Sequence, residues 1–219
     1  MDLKAIQQQV TPARILAVSK LQPEEKIRAL YQEGQRMFGE NYVQEALDKI
    51  EHLQDLHDLQ WHLIGHLQKN KAKYVAGKFA LIHSVDSLEL AQVLSRQCAT
   101  KNVQQNILIQ VNLAKEETKS GFDKDSLKEA WNELVLLPHL KIKGFMTMPP
   151  LTENPEDVRP YFKELRELRD LLKTQTDLNL HPLDELSMGT SHDYSVAVEE
   201  GATILRLGTI LFGERPIRR

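Results

Sequence analysis

The sequence predicts an α/β fold, a single (β/α)₈ TIM-type barrel that spans residues 1–219 as one domain. Eight short apolar runs alternate with stretches of helical spacing. Several runs are apolar at consecutive positions, as in strands that helices cover on both faces. An open doubly wound sheet is the alternative, but no G-x-G-x-x-G turn follows the first run. The count of eight and the missing turn favour the barrel.

The eight runs give the predicted strands in chain order. They are residues 15–20, 37–41, 61–65, 81–85, 107–113, 142–148, 185–189 and 203–210. Catalytic and binding groups of such barrels collect at the carboxyl ends of the strands. The residues that end these runs are therefore the candidates for a functional site.

The segments between the runs carry helix signals. Asp86-Ser87-Leu88-Glu89 resembles a capping box. Asn154-Pro155-Glu156 combines a capping side chain, a proline at the first position and an acid. Two apolar stripes have helical spacing, and the second follows the start at Asn154. They comprise Leu127, Ala130, Trp131, Leu134 and Leu137 in one helix, and Val158, Phe162, Leu165, Leu168, Leu171 and Leu172 in another.

Bulk composition narrows the classes of function. Lys and Arg total 28 against 31 Asp and Glu, and no long basic block occurs, so nucleic acid is not favoured as a partner. No apolar run approaches the roughly 20 residues of a membrane span. The first residues have no apolar core of signal-peptide length. The single cysteine, Cys98, lies in a predicted helix without an activating partner and fits a reducing compartment. We therefore expect a cytoplasmic protein with no membrane partner.

Lys20 is the chemically most informative residue. It ends the first run, and Gln22-Pro23-Glu24-Glu25 follows as a helix start. This position points the amine into the mouth of the barrel, where loss of solvation lowers the pKa of a lysine and allows it to attack an aldehyde. A solvated surface lysine is the alternative that position alone leaves open.

The last two predicted strands end in small and hydroxylated residues. Leu186-Ser187-Met188-Gly189-Thr190-Ser191 ends the seventh, and Arg206-Leu207-Gly208-Thr209 ends the eighth. Such residues let the backbone approach an anion and add donors, and phosphate often binds after strands seven and eight of a barrel. A simple turn with helix capping explains the first segment equally well. Together with Lys20, the two segments suggest a phosphorylated aldehyde held at both ends.

Six ordered segments resemble one known family. They are residues 17–20, 38–42, 61–71, 143–146, 186–189 and 206–209. The chain resembles the pyridoxal phosphate homeostasis protein family, single-domain relatives of the alanine racemase N-terminal barrel, essentially from end to end. The resemblance implies pyridoxal 5′-phosphate (PLP) as cofactor, joined to Lys20 as an internal aldimine, and it implies no metal.

The resemblance also implies the residues around the cofactor. Arg206 would face the pyridine nitrogen; because arginine stays charged and only donates, that nitrogen would stay unprotonated and the ring would be a weaker electron sink. Without the resemblance, a salt bridge across the barrel mouth would explain Arg206. The other expected contacts are Ser187, Ser191, Gly208 and Thr209 at the phosphate, Asn41 near the ring, Ile64 and Met146 along the pocket, and Ser84 on the same wall.

Several neighbouring residues receive structural interpretations or stay open. His62 lies among apolar residues, which favours a buried structural histidine over an acid–base group. Lys71 is interpreted as part of a solvated face, and Lys69 is left open. Thr190 stands where the family more often has Met; its hydroxyl either lies near the phosphate or faces away.

Three functions are compatible with these residues. The first is a PLP carrier without catalytic residues, active in intracellular PLP homeostasis and amino-acid and keto-acid balance. The second-domain tyrosine that serves related racemases as a second base would be missing, and we expect a monomer. The second, which is the main alternative, is a PLP-dependent amino-acid racemase or lyase of unknown substrate. The third is a lysine-dependent aldolase without cofactor.

Overall fold

Eight parallel strands form a closed barrel in the computed structural model, which describes residues 3–116 and 118–213. Each strand pairs with the next along the chain, and the eighth pairs with the first, Leu16 opposite Arg206. The strands are β1 (Arg14–Val18), β2 (Met37–Glu40), β3 (Gln60–Leu63), β4 (Leu81–Val85), β5 (Gln105–Val111), β6 (Leu140–Thr147), β7 (Glu185–Thr190) and β8 (Ile204–Leu207). The predicted fold class is confirmed.

Helices alternate with these strands along the chain. They are α1 (Leu3–Val10), α2 (Glu24–Gln32), α3 (Val43–His52), α4 (Ala72–Val75), α5 (Leu88–Lys101), α6 (Lys124–Leu134), α7 (Arg159–Lys173), α8 (Tyr194–Glu199) and α9 (Thr209–Phe212), with 3₁₀ turns at Lys69–Lys71 and Pro155–Val158. The predicted caps are confirmed: Ser87 accepts from Leu90 N–H, and Asn154 accepts from Glu156 N–H. Cys98 is buried in α5, as expected, and burial raises the pKa of its thiol.

Six of the eight predicted strands extend one to three residues too far at their carboxyl ends, and the first and the last of these matter for the site. β1 ends at Val18, so Lys20 lies in a turn two residues beyond the strand. β8 ends at Leu207, and the apolar residues that follow Gly208 form helix α9 instead. Short apolar runs do not distinguish a strand from a buried helical turn, which explains the second error. Both corrections place backbone turns, rather than strand ends, around the barrel mouth.

The core consists of two apolar layers. Inside the barrel, one buried residue from each of six strands forms a small cluster, which comprises Leu16, Met37, Leu81, Leu108, Met146 and Ile204. Ile64 packs against it. A larger cluster lies between the strands and the surrounding helices, and α7 contributes Phe162, Leu165, Leu168 and Leu172 to it. Leu171, predicted on the same stripe, is exposed instead.

The described residues contain neither a helix suited to cross a membrane nor a cluster of metal ligands. Across residues 3–116 and 118–213, no helix combines the length and apolarity that a membrane crossing requires. Within the same residues, no group of three or more His, Cys, Asp or Glu side chains is arranged to hold a metal ion.

Candidate functional site

A cavity of about 430 Å³ opens at the carboxyl ends of the strands. It brings together eight of the ten residues that the sequence predicts for the site: Lys20, Asn41, Ile64, Met146, Ser191, Arg206, Gly208 and Thr209. These residues come from segments at or after β1, β2, β3, β6, β7 and β8. The cavity therefore lies where a barrel of this kind places its ligands.

Ser84 and Ser187 are not among the lining residues. Both are completely buried. Ser187 Oγ accepts from Arg206 Nη1 at 2.8 Å, so Ser187 lies behind Arg206 rather than on the cavity wall. Ser84 Oγ is buried without a hydrogen-bond partner in the described part of the chain. The structure thus does not bring these two serines together with the other eight residues on the cavity wall.

Arg206 is a buried cation held by neutral acceptors. Its Nη1 donates to the carbonyl and hydroxyl oxygens of Ser187 at 2.7 and 2.8 Å, and its Nη2 donates to the Thr147 carbonyl at 2.9 Å. Burial lowers the pKa of Arg206 to about 10, so the guanidinium stays charged at neutral pH. None of these acceptors is a carboxylate, which disagrees with the alternative interpretation of Arg206 as a salt bridge.

Two neutral histidines extend this network across the barrel interior. His83 Nδ1 lies 2.9 Å from Ser187 Oγ, and His83 Nε2 lies 2.8 Å from His62 Nδ1. Burial lowers the pKa of His62 to about 3 and that of His83 well below its usual value. Arg206 can only donate, so Ser187 Oγ accepts from it. We therefore assign the remaining bonds so that the Ser187 hydroxyl donates to His83 Nδ1 and the His83 Nε2–H donates to His62 Nδ1. The interpretation of His62 as a buried structural histidine is confirmed.

The loops after β7 and β8 meet at Ser191. Its hydroxyl oxygen accepts from the N–H groups of Gly208 at 3.3 Å and Ile210 at 3.4 Å. Thr190 lines the cavity, and its hydroxyl donates to Asp193 Oδ1 at 2.9 Å. Gly189 has φ 89°, and a Cβ there would lie 2.5 Å from the Ala197 Cβ. This glycine therefore allows the loop to pack closely on α8.

Asn41 lines the cavity just after β2. A Cβ on Gly65 would lie 2.0 Å from the Asn41 carbonyl oxygen, so only glycine allows the chain after β3 to pass so close. Asn41 Oδ1 is buried and has no hydrogen-bond partner among the described residues. Unused buried polar atoms are rare in proteins and mark places where a ligand or water completes the bonding.

Some lining residues lie outside the ten that the sequence predicts for the site. Met148 and Leu151 belong to the proline-containing loop after β6 and are 46% and 85% exposed, at the rim of the cavity. His192 also lines the cavity, next to Ser191. The position of these residues just after the ends of β6 and β7 is the sequence signal that could have identified them. Lys69, left open from the sequence, forms an exposed ion pair with Glu89 at 2.6 Å, and Lys71 is exposed as expected.

Comparison with known proteins agrees with this architecture. The model of the alanine racemase N-terminal domain family matches residues 2–216. The pyridoxal phosphate homeostasis protein of Aquifex aeolicus is 52% identical over 93% of this chain and 87% of its own length. That of Synechocystis sp. is 45% identical over 92% of this chain and 91% of its own.

This chain belongs to the pyridoxal phosphate homeostasis protein family. Among solved structures, PipY of Synechococcus elongatus with PLP bound has a TM-score of 0.90 at 40% identity, covering 97% of this chain and 98% of PipY. Alanine racemase from Corynebacterium glutamicum has a TM-score of 0.77 at 17% identity, covering 98% of this chain and 60% of the racemase. At that identity the likeness to the racemase shows the fold alone.

Proposed function

We propose that this protein binds PLP in the cavity at the carboxyl ends of its strands, attaches it to Lys20, and serves intracellular PLP homeostasis without turning over a substrate. The observation that carries the proposal is the lining of that cavity, which joins a lysine, a buried arginine and the Ser191 loop. PipY, 40% identical, has been solved with PLP bound.

The residues present fit the chemical groups of PLP. The cavity of about 430 Å³ lies within the range typical of small-ligand sites. Ser191, Gly208 and Thr209 offer hydroxyl and backbone donors for the phosphate, Ile64 and Met146 offer apolar surface for the ring, and the unused Asn41 Oδ1 is one polar atom that a ligand would satisfy. When bound, PLP supplies a reactive aldehyde and an electron-accepting ring.

Two side chains determine what the bound group can do. Lys20 would supply the amine to which the aldehyde of PLP attaches. Arg206 places a permanent donor at the cavity wall, so we infer that it holds the pyridine nitrogen unprotonated. This restrains carbanion chemistry and supports a carrier role.

The alternative is a PLP-dependent racemase or lyase, and one observation favours it. His192 lines the same cavity as Lys20 and is a side chain that could act as a second base. Deuterium exchange at the α-carbon across a panel of amino acids tests this alternative. Exchange that disappears in a His192→Ala variant would support it, and no exchange with any amino acid would exclude it.

Absorption of the purified protein tests the covalent link. A near-visible band that borohydride removes, with added mass on the peptide that contains Lys20, is the expected result. Lys20→Ala should lack the band, and Lys69→Ala, which removes an exposed lysine, should keep it. The same band in Lys20→Ala would overturn the assignment, and a protein that takes up no PLP would support a cofactor-free aldolase.

The cellular role needs a separate measurement. Deletion of the gene should change the pools of free vitamin B6 forms and of amino and keto acids, and unchanged pools would contradict the homeostasis role. We further infer that residues 1–219 act as one domain and as a monomer. Light scattering of the PLP-loaded protein at micromolar concentration would contradict this if it gave twice the mass of the chain.

A further inference from the structure

Lys20 lies in a strained turn just beyond β1. Gln22 N–H donates to the Ser19 carbonyl at 3.0 Å and closes a four-residue turn with Lys20 at its second position. Leu21, at the third position, has φ 59°. Positive φ is uncommon for residues other than glycine and is costly for a bulky side chain. Such a conformation persists only where the surroundings hold it.

A buried cluster of three charged residues supplies that support. Lys49 Nζ donates to Glu40 Oε1 at 2.8 Å and to Glu45 Oε1 at 2.8 Å. Glu40 is completely buried and the Lys49 side chain is 7% exposed. Glu45 and Lys49 lie one turn apart on α3, and Glu40 ends β2. We call these residues the acid–lysine cluster.

The cluster binds both peptide groups that flank Lys20. Lys49 Nζ donates to the Ser19 carbonyl at 2.7 Å, which belongs to the peptide before Lys20. Leu21 N–H, which belongs to the peptide after Lys20, donates to Glu45 Oε1 at 2.6 Å. A third bond runs from Ser19 Oγ to Glu40 Oε1 at 2.6 Å. The backbone on each side of Lys20 is therefore fixed by α3 and β2, not by its own strand.

Stability alone is a poor reason for this arrangement. Burying opposite charges costs desolvation that their attraction often does not recover, and apolar replacements of such pairs are frequently neutral or stabilising. Glu40 Oε2, moreover, has no hydrogen-bond partner within the described residues. The bonds to Ser19 and Leu21 fix the backbone around Lys20, and an apolar replacement of the cluster could not form them.

We propose that Glu40, Glu45 and Lys49 are positioning residues for Lys20. The proposal rests on the proposed function, because it concerns the attachment of PLP to that lysine. The cluster holds the Ser19–Gln22 turn so that the amine meets the aldehyde in a reactive orientation. Small displacements of a reacting group reduce rates strongly, so loss of the cluster slows covalent capture more than it weakens binding.

Glu45 gives the sharpest test because it is the most exposed member, with 23% of its side chain accessible. Glu45→Ala should slow the appearance of the near-visible band after mixing with PLP by roughly ten- to a hundred-fold. Glu45→Gln keeps an oxygen that can accept from Leu21 N–H and should recover much of the rate. Binding of pyridoxamine 5′-phosphate, which has no aldehyde, should change less than twofold in both variants.

A matched control separates positioning from general loss of structure. Glu200→Gln alters an ion-paired carboxylate, 11% exposed, that contacts Arg159 and Arg166 rather than the Lys20 turn. It should capture PLP at the wild-type rate. Wild-type capture by Glu45→Ala, or an equal loss of capture and of pyridoxamine 5′-phosphate binding, would overturn the positioning role. Failure of the wild-type protein to attach PLP at Lys20 would instead overturn the proposed function.

Discussion

Two buried polar networks of the barrel support residues that line the same cavity, Lys20 and Arg206, and they are built differently. The acid–lysine cluster pairs opposite charges and binds the backbone around Lys20. The second network joins Arg206 through Ser187 to His83 and His62, which burial keeps neutral. The first network therefore pairs its one lysine with two carboxyl groups, whereas the hydrogen-bond acceptors of Arg206 in the second are all neutral.

This difference matches what each network has to do. A turn must be held in place, and charge-assisted hydrogen bonds are the strong ones for that purpose. A cation at a cavity wall attracts a ligand through its positive potential, and a carboxylate partner would offset that potential. The neutral acceptors around Arg206 fix its guanidinium group without cancelling its charge.

The largest expected effect comes from breaking the charged network. Lys49→Met leaves Glu40 buried without its cation and should lower the free energy of unfolding by about 3–5 kcal/mol. Urea unfolding followed by circular dichroism measures this. The double variant Lys49→Met with Glu40→Leu should recover most of the loss. Lys69→Ala, which removes the exposed pair with Glu89, should cost less than about 1 kcal/mol. Similar decreases in the free energy of unfolding for Lys49→Met and Lys69→Ala would contradict the distinction between a buried charged network and an exposed ion pair.

The neutral network should instead make stability depend on pH. The folded-state pKa of His62 is about 3, below the usual 6.5, because burial disfavours the charged ring. The unfolded chain therefore binds more protons between pH 6.5 and 3. This contribution to stability is complete above pH 6.5 and is lost as pH falls, by about 1.4 kcal/mol per pH unit for each such histidine.

Urea unfolding of wild type and His62→Gln between pH 7 and 4 measures that slope. The variant lacks one of the two buried rings, so its free energy of unfolding should fall less steeply with decreasing pH. The expected difference is about 1.4 kcal/mol per pH unit below 6.5. Identical slopes for the two proteins would show that His62 does not titrate differently in the folded and unfolded chains.

The sequence predicted more of the cavity than of the networks behind it. Lys20, Arg206 and the Ser191 loop follow strand ends, where position alone indicates a ligand site. Lys49 could not be identified in this way, because on α3 it resembles an ordinary surface lysine paired with Glu45 one turn away. Its burial depends on β1 and β2 packing beside α3, and that is a tertiary property.

The end of β8 shows the corresponding limit for the fold. Apolar residues continue past β8 at Ile210, and hydrophobicity does not reveal that the chain turns at Gly208 into α9. The resemblance implies Ser187 at the phosphate. Alternation of side chains along β7 turns its hydroxyl toward Arg206 and His83 instead.

The smallest expected effect comes from removing one ring of the neutral network. His83→Phe keeps an aromatic ring of similar size but leaves the hydroxyl of Ser187 and Nδ1 of His62 without their partner. Unsatisfied buried polar groups cost about 1–3 kcal/mol, so the free energy of unfolding should fall by that amount. His83→Asn retains an acceptor for the Ser187 hydroxyl and should keep part of the hydrogen bonding that holds Arg206. It loses the packing of the ring. PLP uptake, measured by the near-visible band, should fall in His83→Phe but not in an equally destabilised Leu108→Val. This result would show that Arg206 depends on the neutral network for its position. Equal uptake in the two variants would confine the histidines to a role in stability.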